Sequence, residues 1–190
     1  MKRAHTFWFS DQTEQQHLCR YMQARANRFL PGHLLNSSVA VKRGQGDAGF
    51  DDTSIHARML GKLAFDGDIA SWSEPLTSRM AYWVQIYKGI RHLVVQDFYQ
   101  LLSQPTCARD WDAVQFASYG GDEAVVFVFS GSEGGRRMIP LYGLDPNGGY
   151  ALEWLPGRQQ ISSNGCELLE RGIAADLERW DSCMIKMNRA

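Results

Sequence analysis

The chain has 190 residues, 44% of them apolar and 22% charged, with a formal net charge of -1 from 20 basic and 21 acidic side chains. That composition builds a packed core and excludes a disordered chain, and the balanced charge gives no long-range attraction for nucleic acid or an anionic membrane. Six tryptophans and seven tyrosines leave neutral small molecules or polymers as better partners, because flat aromatic faces suit sugar rings as well as core packing.

The first element is short. Phe7 to Phe9 form an apolar run suited to a strand, which stops on Ser10-Asp11 before a helical pattern begins. Leu18, Met22, Ala26 and Phe29 then recur at spacings of three and four, one face of a helix ending before Pro31-Gly32. Leu34 to Val41 is the next strand candidate, followed by a polar, glycine-rich loop from Lys42 to Asp52 and a helix from Thr53 to Leu60. Leu63 to Ile69 reads as a third strand. Its successor is the longest helix, with Ser73 as N-cap, Pro75 in its first turn, and a buried stripe of Met80, Trp83, Tyr87, Ile90, Val94, Phe98 and Leu101.

After Pro105 the grammar changes from βα units to short strands and frequent turns. Trp111 to Ser118 and Ala124 to Phe129 flank the hairpin signal Tyr119-Gly120-Gly121-Asp122. Further strands are expected at Met138 to Leu144, Tyr150 to Trp154 and Cys183 to Met187, with Asp145-Pro146-Asn147-Gly148 and Asn164-Gly165 as turns. Two domains follow: residues 1–105, built of βα units, and residues 106–190, a small antiparallel β-sandwich. Three βα units cannot close a parallel barrel, which takes eight and about 250 residues. Three parallel strands alone would also leave long unpaired edges.

Cys19, Cys107, Cys166 and Cys183 lie far apart with no C-x-x-C pair, so neither a zinc knuckle nor a disulfide framework is indicated, and no cofactor is expected. The first residues carry no apolar h-region and no run approaches the ~18 apolar residues of a membrane span. A cytoplasmic location, with reduced thiols, is the expectation.

Four stretches, in order, resemble glycoside hydrolase family 36, the α-galactosidases or melibiases. Trp8-Phe9-Ser10-Asp11-Gln12-Thr13-Glu14 looks like the family's W-T-S-D-N-T-D. Tyr82 to Leu93 is similar to its last barrel helix, with I-x-F-Y-K-x-I-R-x-L. Gly143-Leu144-Asp145-Pro146 with Tyr150 resembles its G-L-D-P-x-x-x-Y turn, and Gly165 to Ile173 its closing G-x-E-L-M-x-x-G-I segment. The resemblance implies the last three βα units of a (β/α)8 TIM barrel, up to about residue 102, followed by the C-terminal antiparallel β-sandwich. It also implies a fragment: the family's nucleophile, in a K-W-D-x-N motif on the fourth strand, has no counterpart in this sequence. Glu14 replaces the motif's second aspartate, and Gly32 to Ser38 departs from the usual M-G-x-H-V-S text.

A retaining glycosidase uses two carboxyl groups roughly 5 Å apart, one attacking the anomeric carbon and one serving as acid and then base. The resemblance makes Asp11 the acid/base, and a carboxyl just beyond a barrel strand's C-terminal end is where such chemistry sits. The competing reading is an N-cap: Asp11 with Glu14 makes a capping-box-like pattern, which would lower its pKa and oppose proton donation. Thr13 with Gln16 offers the alternative cap that would leave Asp11 free. Trp8 and Asp68 are weaker substrate-binding candidates; a packing role for Trp8 and an Asp-Gly turn at Asp68 are the plainer readings. Trp72 is weighed as Trp8 is. His33 and His56 have no metal-site spacing, so no metal is expected. Arg20 and Arg25 read as the solvated face of the first helix.

The resemblance thus implies a glycoside hydrolase acting on α-galactoside oligosaccharides, inactive alone for want of the nucleophile, with an N-terminal partner chain or a homo-oligomer as the expected assembly. The alternative is a non-catalytic carbohydrate-binding or oligomerisation module. Neither involves nucleic acid or a membrane.

Overall fold

The computed structural model describes residues 6–8, 16–41, 51–157 and 159–190. It divides into two compact units between His92 and Leu93.

In the first unit, strands β1 (Phe7–Trp8), β2 (Leu35–Val41) and β3 (Lys62–Gly67) form a parallel sheet in the order β1-β2-β3. Helix α1 (Gln16–Ala26) connects the first two strands, α2 (Asp52–Met59) the next two, and α3 (Glu74–Ile90) follows β3. Each parallel crossover thus carries a helix, as parallel pairing demands. Local chemistry sets the helix starts. Asp51 caps α2, its side chain accepting from the Ser54 N–H at 2.9 Å, and Ser73 caps α3, accepting from the Leu76 N–H at 3.2 Å.

The interior of this unit is unusually polar. Arg58 is 2% exposed and donates from Nε to the Ser38 carbonyl (3.1 Å) and from Nη1 to the Ser54 carbonyl (2.8 Å). Asn27 Nδ2 donates to the carbonyls of Leu60 and Gln23, and the Tyr87 hydroxyl donates to the Gly61 carbonyl while accepting from the Leu63 N–H. These bonds tie α1 to the chain leaving α2, and α3 to the start of β3. Arg20 is fully buried rather than solvated. The helix turns the face bearing Arg20, Gln23, Ala24 and Asn27 inward, and the apolar stem of an arginine can follow it. Arg25 does stay half-buried, its guanidinium 4.0 Å from the Tyr21 ring centroid.

The second unit is antiparallel. Strands β4 (Asp97–Gln100), β5 (Asp112–Ala117), β6 (Glu123–Phe129), β8 (Gly149–Leu155), β9 (Gln159–Asn164) and β11 (Ser182–Arg189) make a six-stranded sheet ordered β4-β5-β6-β11-β8-β9. Strands β7 (Gly135–Ile139) and β10 (Ile173–Leu177) pair as a separate two-stranded sheet, with α4 (Gly165–Arg171) between β9 and β10. The core lies between the sheets: Val126, Val128, Leu152, Ile185 and Met187 from one side meet Ile139, Ile173, Ala175 and Leu177 from the other.

Two sequence expectations change here. The long helix does not reach Leu101; α3 ends at Ile90, and residues 97–100 pair with β5, Phe98 opposite Phe116. The apolar stripe fitted both periods, because Val94 and Leu101 are buried whether they belong to a helix or to a turn and strand. The strand expected to run from Met138 to Leu144 is instead residues 135–139, since Pro140 removes a ladder donor.

The G-L-D-P turn and the Gly165 segment are joined. The Asp145 N–H donates to the Tyr150 hydroxyl, which donates in turn to the Gly121 carbonyl, and the N–H groups of Gly165 and Cys166 reach the carbonyls of Gly148 and Pro146. A Cβ on Gly165 would lie 1.9 Å from the Asp145 carbonyl oxygen, so only glycine fits. These motifs therefore hold the β-domain's corner together. No helix among the described residues is long and apolar enough to cross a membrane.

Candidate functional site

The register of the parallel sheet locates the candidate residues. Trp8 is level with Asn36, which is level with Lys62; at the other end Val41 is level with Gly67. Five residue rises, or roughly 17 Å of strand, separate these levels. Trp8 thus sits at the entry level of β2 and β3, and Asp68 just past their exit. The structure does not bring the two together. Asp11 lies outside the described residues, as do Ser10 and Glu14.

At the exit level the chain turns sharply. Gly67 has φ +99°, and its N–H donates to the side chain of Asp66 at 2.8 Å. The Asp68 carbonyl then accepts from the N–H and hydroxyl of Ser71, closing a 3-10 turn over Ile69–Ser71. Asp68 is half-buried, and Ile69 beside it is 50% exposed. Trp72 meets the edge of Phe65 at 5.8 Å between ring centroids, which gives it a packing contact. Trp8, by contrast, is 45% exposed.

Strand alternation sorts the two faces of the sheet. The Ser37 hydroxyl lies 3.6 Å from the Cys19 sulfur of α1, so Ser37, Val39, Leu63 and Phe65 form the helix-covered face. Asn36, Ser38, Lys62, Ala64 and Asp66 form the other. That face ends at the exit level in Asp66 and is largely polar. The sequence signal for it was the alternation across Asn36-Ser37-Ser38, masked because serine occupies both faces.

The histidines lie elsewhere. His33 is exposed in the 3-10 turn Gly32–Leu34 leading into β2. His56 is fully buried on α2, its ring edge-on to Trp83 at 4.5 Å, and burial pushes its pKa down to about 4 although the nearby Asp52 carboxylate opposes the shift. Asp52 accepts from Arg79 Nε (2.6 Å) and Trp83 Nε1 (2.8 Å), and these bonds outweigh desolvation to hold its pKa below the ordinary carboxylate value. This cluster clamps α2 to α3. Among the described residues no group of three or more His, Cys, Asp or Glu side chains is arranged to hold a metal.

A parallel βα sheet followed by an antiparallel two-sheet unit defines a mixed α/β chain with a β-domain at its close. No family model matches the sequence, and no curated protein matches it. Solved structures do. The α-galactosidase AgaA of family 36 from Geobacillus stearothermophilus superposes with a TM-score of 0.81 at 25% identity, covering 97% of this chain and 26% of its own. AgaB from the same organism gives 0.79 at 25% identity over 95% and 25%. The α-galactosidase from Lactobacillus brevis gives 0.80 at 17% identity over 95% and 26%. The chain is thus similar in structure to glycoside hydrolase family 36 α-galactosidases and matches a C-terminal portion of them, spanning about a quarter of their length.

Proposed function

We propose that the chain supplies the acid/base side of an α-galactosidase-like retaining glycosidase, with its first unit as the last three βα units of a TIM barrel and its antiparallel unit, from Leu93 on, as the β-sandwich. The observation that carries this reading is the superposition, over 97% of the chain, on an α-galactosidase. Two features support it. The parallel strands follow one another with a helix between each pair, as barrel strands do, and β3 ends at Asp66-Gly67 with Asp68 just beyond, on the C-terminal side where barrel active sites are built.

In this reading Asp11 protonates the glycosidic oxygen as it leaves and then takes a proton from the incoming water. A proton donor must be neutral before attack, so Asp11 needs a neighbouring carboxylate or partial burial to raise its pKa. Asp68, at the exit level, would hydrogen-bond a sugar hydroxyl. Trp8 is the weaker contact, since it lies at the entry level. The nucleophile would come from outside these residues, because no K-W-D-x-N stretch occurs among them.

Complementation tests this directly. Alone, the purified chain should release no nitrophenol from 4-nitrophenyl α-galactoside above the buffer rate. Mixed with a family 36 enzyme truncated before its last quarter, it should restore hydrolysis. Asp11→Asn should lower that restored rate by about 10²- to 10⁴-fold, the usual worth of a general acid. Hydrolysis by the chain alone would refute the missing nucleophile, and a restored rate indifferent to Asp11→Asn would refute its role.

A further inference from the structure

The two sheets of the second unit differ in width. Six strands on one side face two on the other, so the inner face of the wide sheet runs out of cover toward its edge strand β9. Leu152 and Ile161 are directly paired and share that inner face, yet Leu152 is fully buried while Ile161 is 43% exposed. Beyond the covered part lies an open cleft of about 510 Å³, bounded by β8, β9, α4 and β10. Its size falls within the roughly 300–1,000 Å³ of small-molecule sites.

The walls differ in chemistry. Trp154, Ile161 and Leu168 give an apolar floor, extended by Cys183, whose thiol burial pushes up to about 12 and so keeps protonated and unreactive. Gln159 and Ser163 come from the edge strand, Asp176 from β10, and the Glu167–Arg171 ion pair from α4. The Ser163 hydroxyl already bonds Glu167 at 3.1 Å, which orients the carboxylate. Among the described lining residues two carboxylates stand against one guanidinium, a net negative balance that disfavours phosphates and carboxylates. A wholly apolar guest would strip water from Gln159, Ser163 and Asp176 without replacing their hydrogen bonds. A guest with C–H faces for Trp154 and hydroxyls for the amide and carboxylates satisfies both walls.

We infer that this cleft binds a neutral oligosaccharide through Trp154 and the polar wall of Gln159, Ser163 and Asp176. Binding here is independent of hydrolysis, and it stands or falls separately from the role of Asp11.

The test follows the Trp154 indole N–H signal of the intact chain by NMR during titration with raffinose, maltotriose and, as an apolar anion, decanoate. Raffinose or maltotriose should shift that signal saturably, with Kd on the order of 1 mM. Gln159→Ala, a change at an exposed edge position that keeps the fold, should weaken binding about three- to tenfold, the worth of one lost hydrogen bond. Trp154→Ala, which also touches the core, serves only as the signal's assignment. A Trp154 signal that neither trisaccharide moves overturns the inference. So does saturation by decanoate in preference to the sugars, or sugar affinity unchanged in Gln159→Ala.

Discussion

The two units bury opposite kinds of chemistry. The second encloses an almost wholly apolar core between sheets, where Val126, Val128, Leu152 and Ile185 are all fully buried. The first buries Arg20, Gln23, His56 and Arg58 among its helices and leaves both edges of a three-stranded parallel sheet without a described partner strand. An apolar core is self-sufficient, whereas buried polar groups hold only while every partner stays in place. The β-domain should therefore behave as the sturdier body, and the βα unit as the one sensitive to conditions.

The strongest way to break that contrast is Leu152→Ala. It should cost about 2–5 kcal/mol, the usual cost of truncating a buried leucine, and should be felt in the β-domain alone. Hydrogen exchange resolved by unit would check this; equal loss of protection in α2 would show that the units do not unfold separately.

Acid is the next lever. The folded pKa of His56, about 4, lies below its ordinary value of 6.5, so between these values the unfolded chain binds a proton that the folded one refuses. Stability contributed by neutral His56 is fully present above pH 6.5 and falls as pH drops toward 4, by about 3 kcal/mol. Asp52, whose folded pKa is depressed, adds to the loss only at still lower pH. Urea unfolding at pH 7 and 4.5 should show the decrease in the first unit, and His56→Gln should flatten it. A pH profile that is flat in the wild-type chain would contradict the buried, neutral imidazole.

The smallest effect sharpens the comparison within the β-domain. Asn164 caps α4 by accepting from the Glu167 N–H at 2.8 Å. Asn164→Ala should cost about 1 kcal/mol, lowering the melting temperature by a few degrees, because α4 is short and its neighbours are held by the sheet.

Much of this architecture was legible in the residues. Periodicity located β2, α2 and the hairpin β5–β6 within a residue or two, since apolar spacing and turn residues agreed there. It failed where one pattern served two periods, as at Phe98 and Leu101, and where strands were polar. β9, Gln159-Gln160-Ile161-Ser162-Ser163-Asn164, has one apolar residue and could not announce itself. Of the site, Asp68 at the exit of β3 follows from the strand's end, but the entry-level position of Trp8 needed the register with Asn36. Arg20 was misplaced because charge alone does not report which side of a helix is covered.

The position of β11 carries one more consequence. Its residues 182–189 sit between β6 and β8, bonded to both, although β6 is made more than fifty residues earlier. On a translating ribosome the sheet cannot close before this segment has emerged from the exit tunnel, so β4, β5 and β6 wait with an unsatisfied edge. The nascent β-domain thus stays open until β11 is made, and then closes around it.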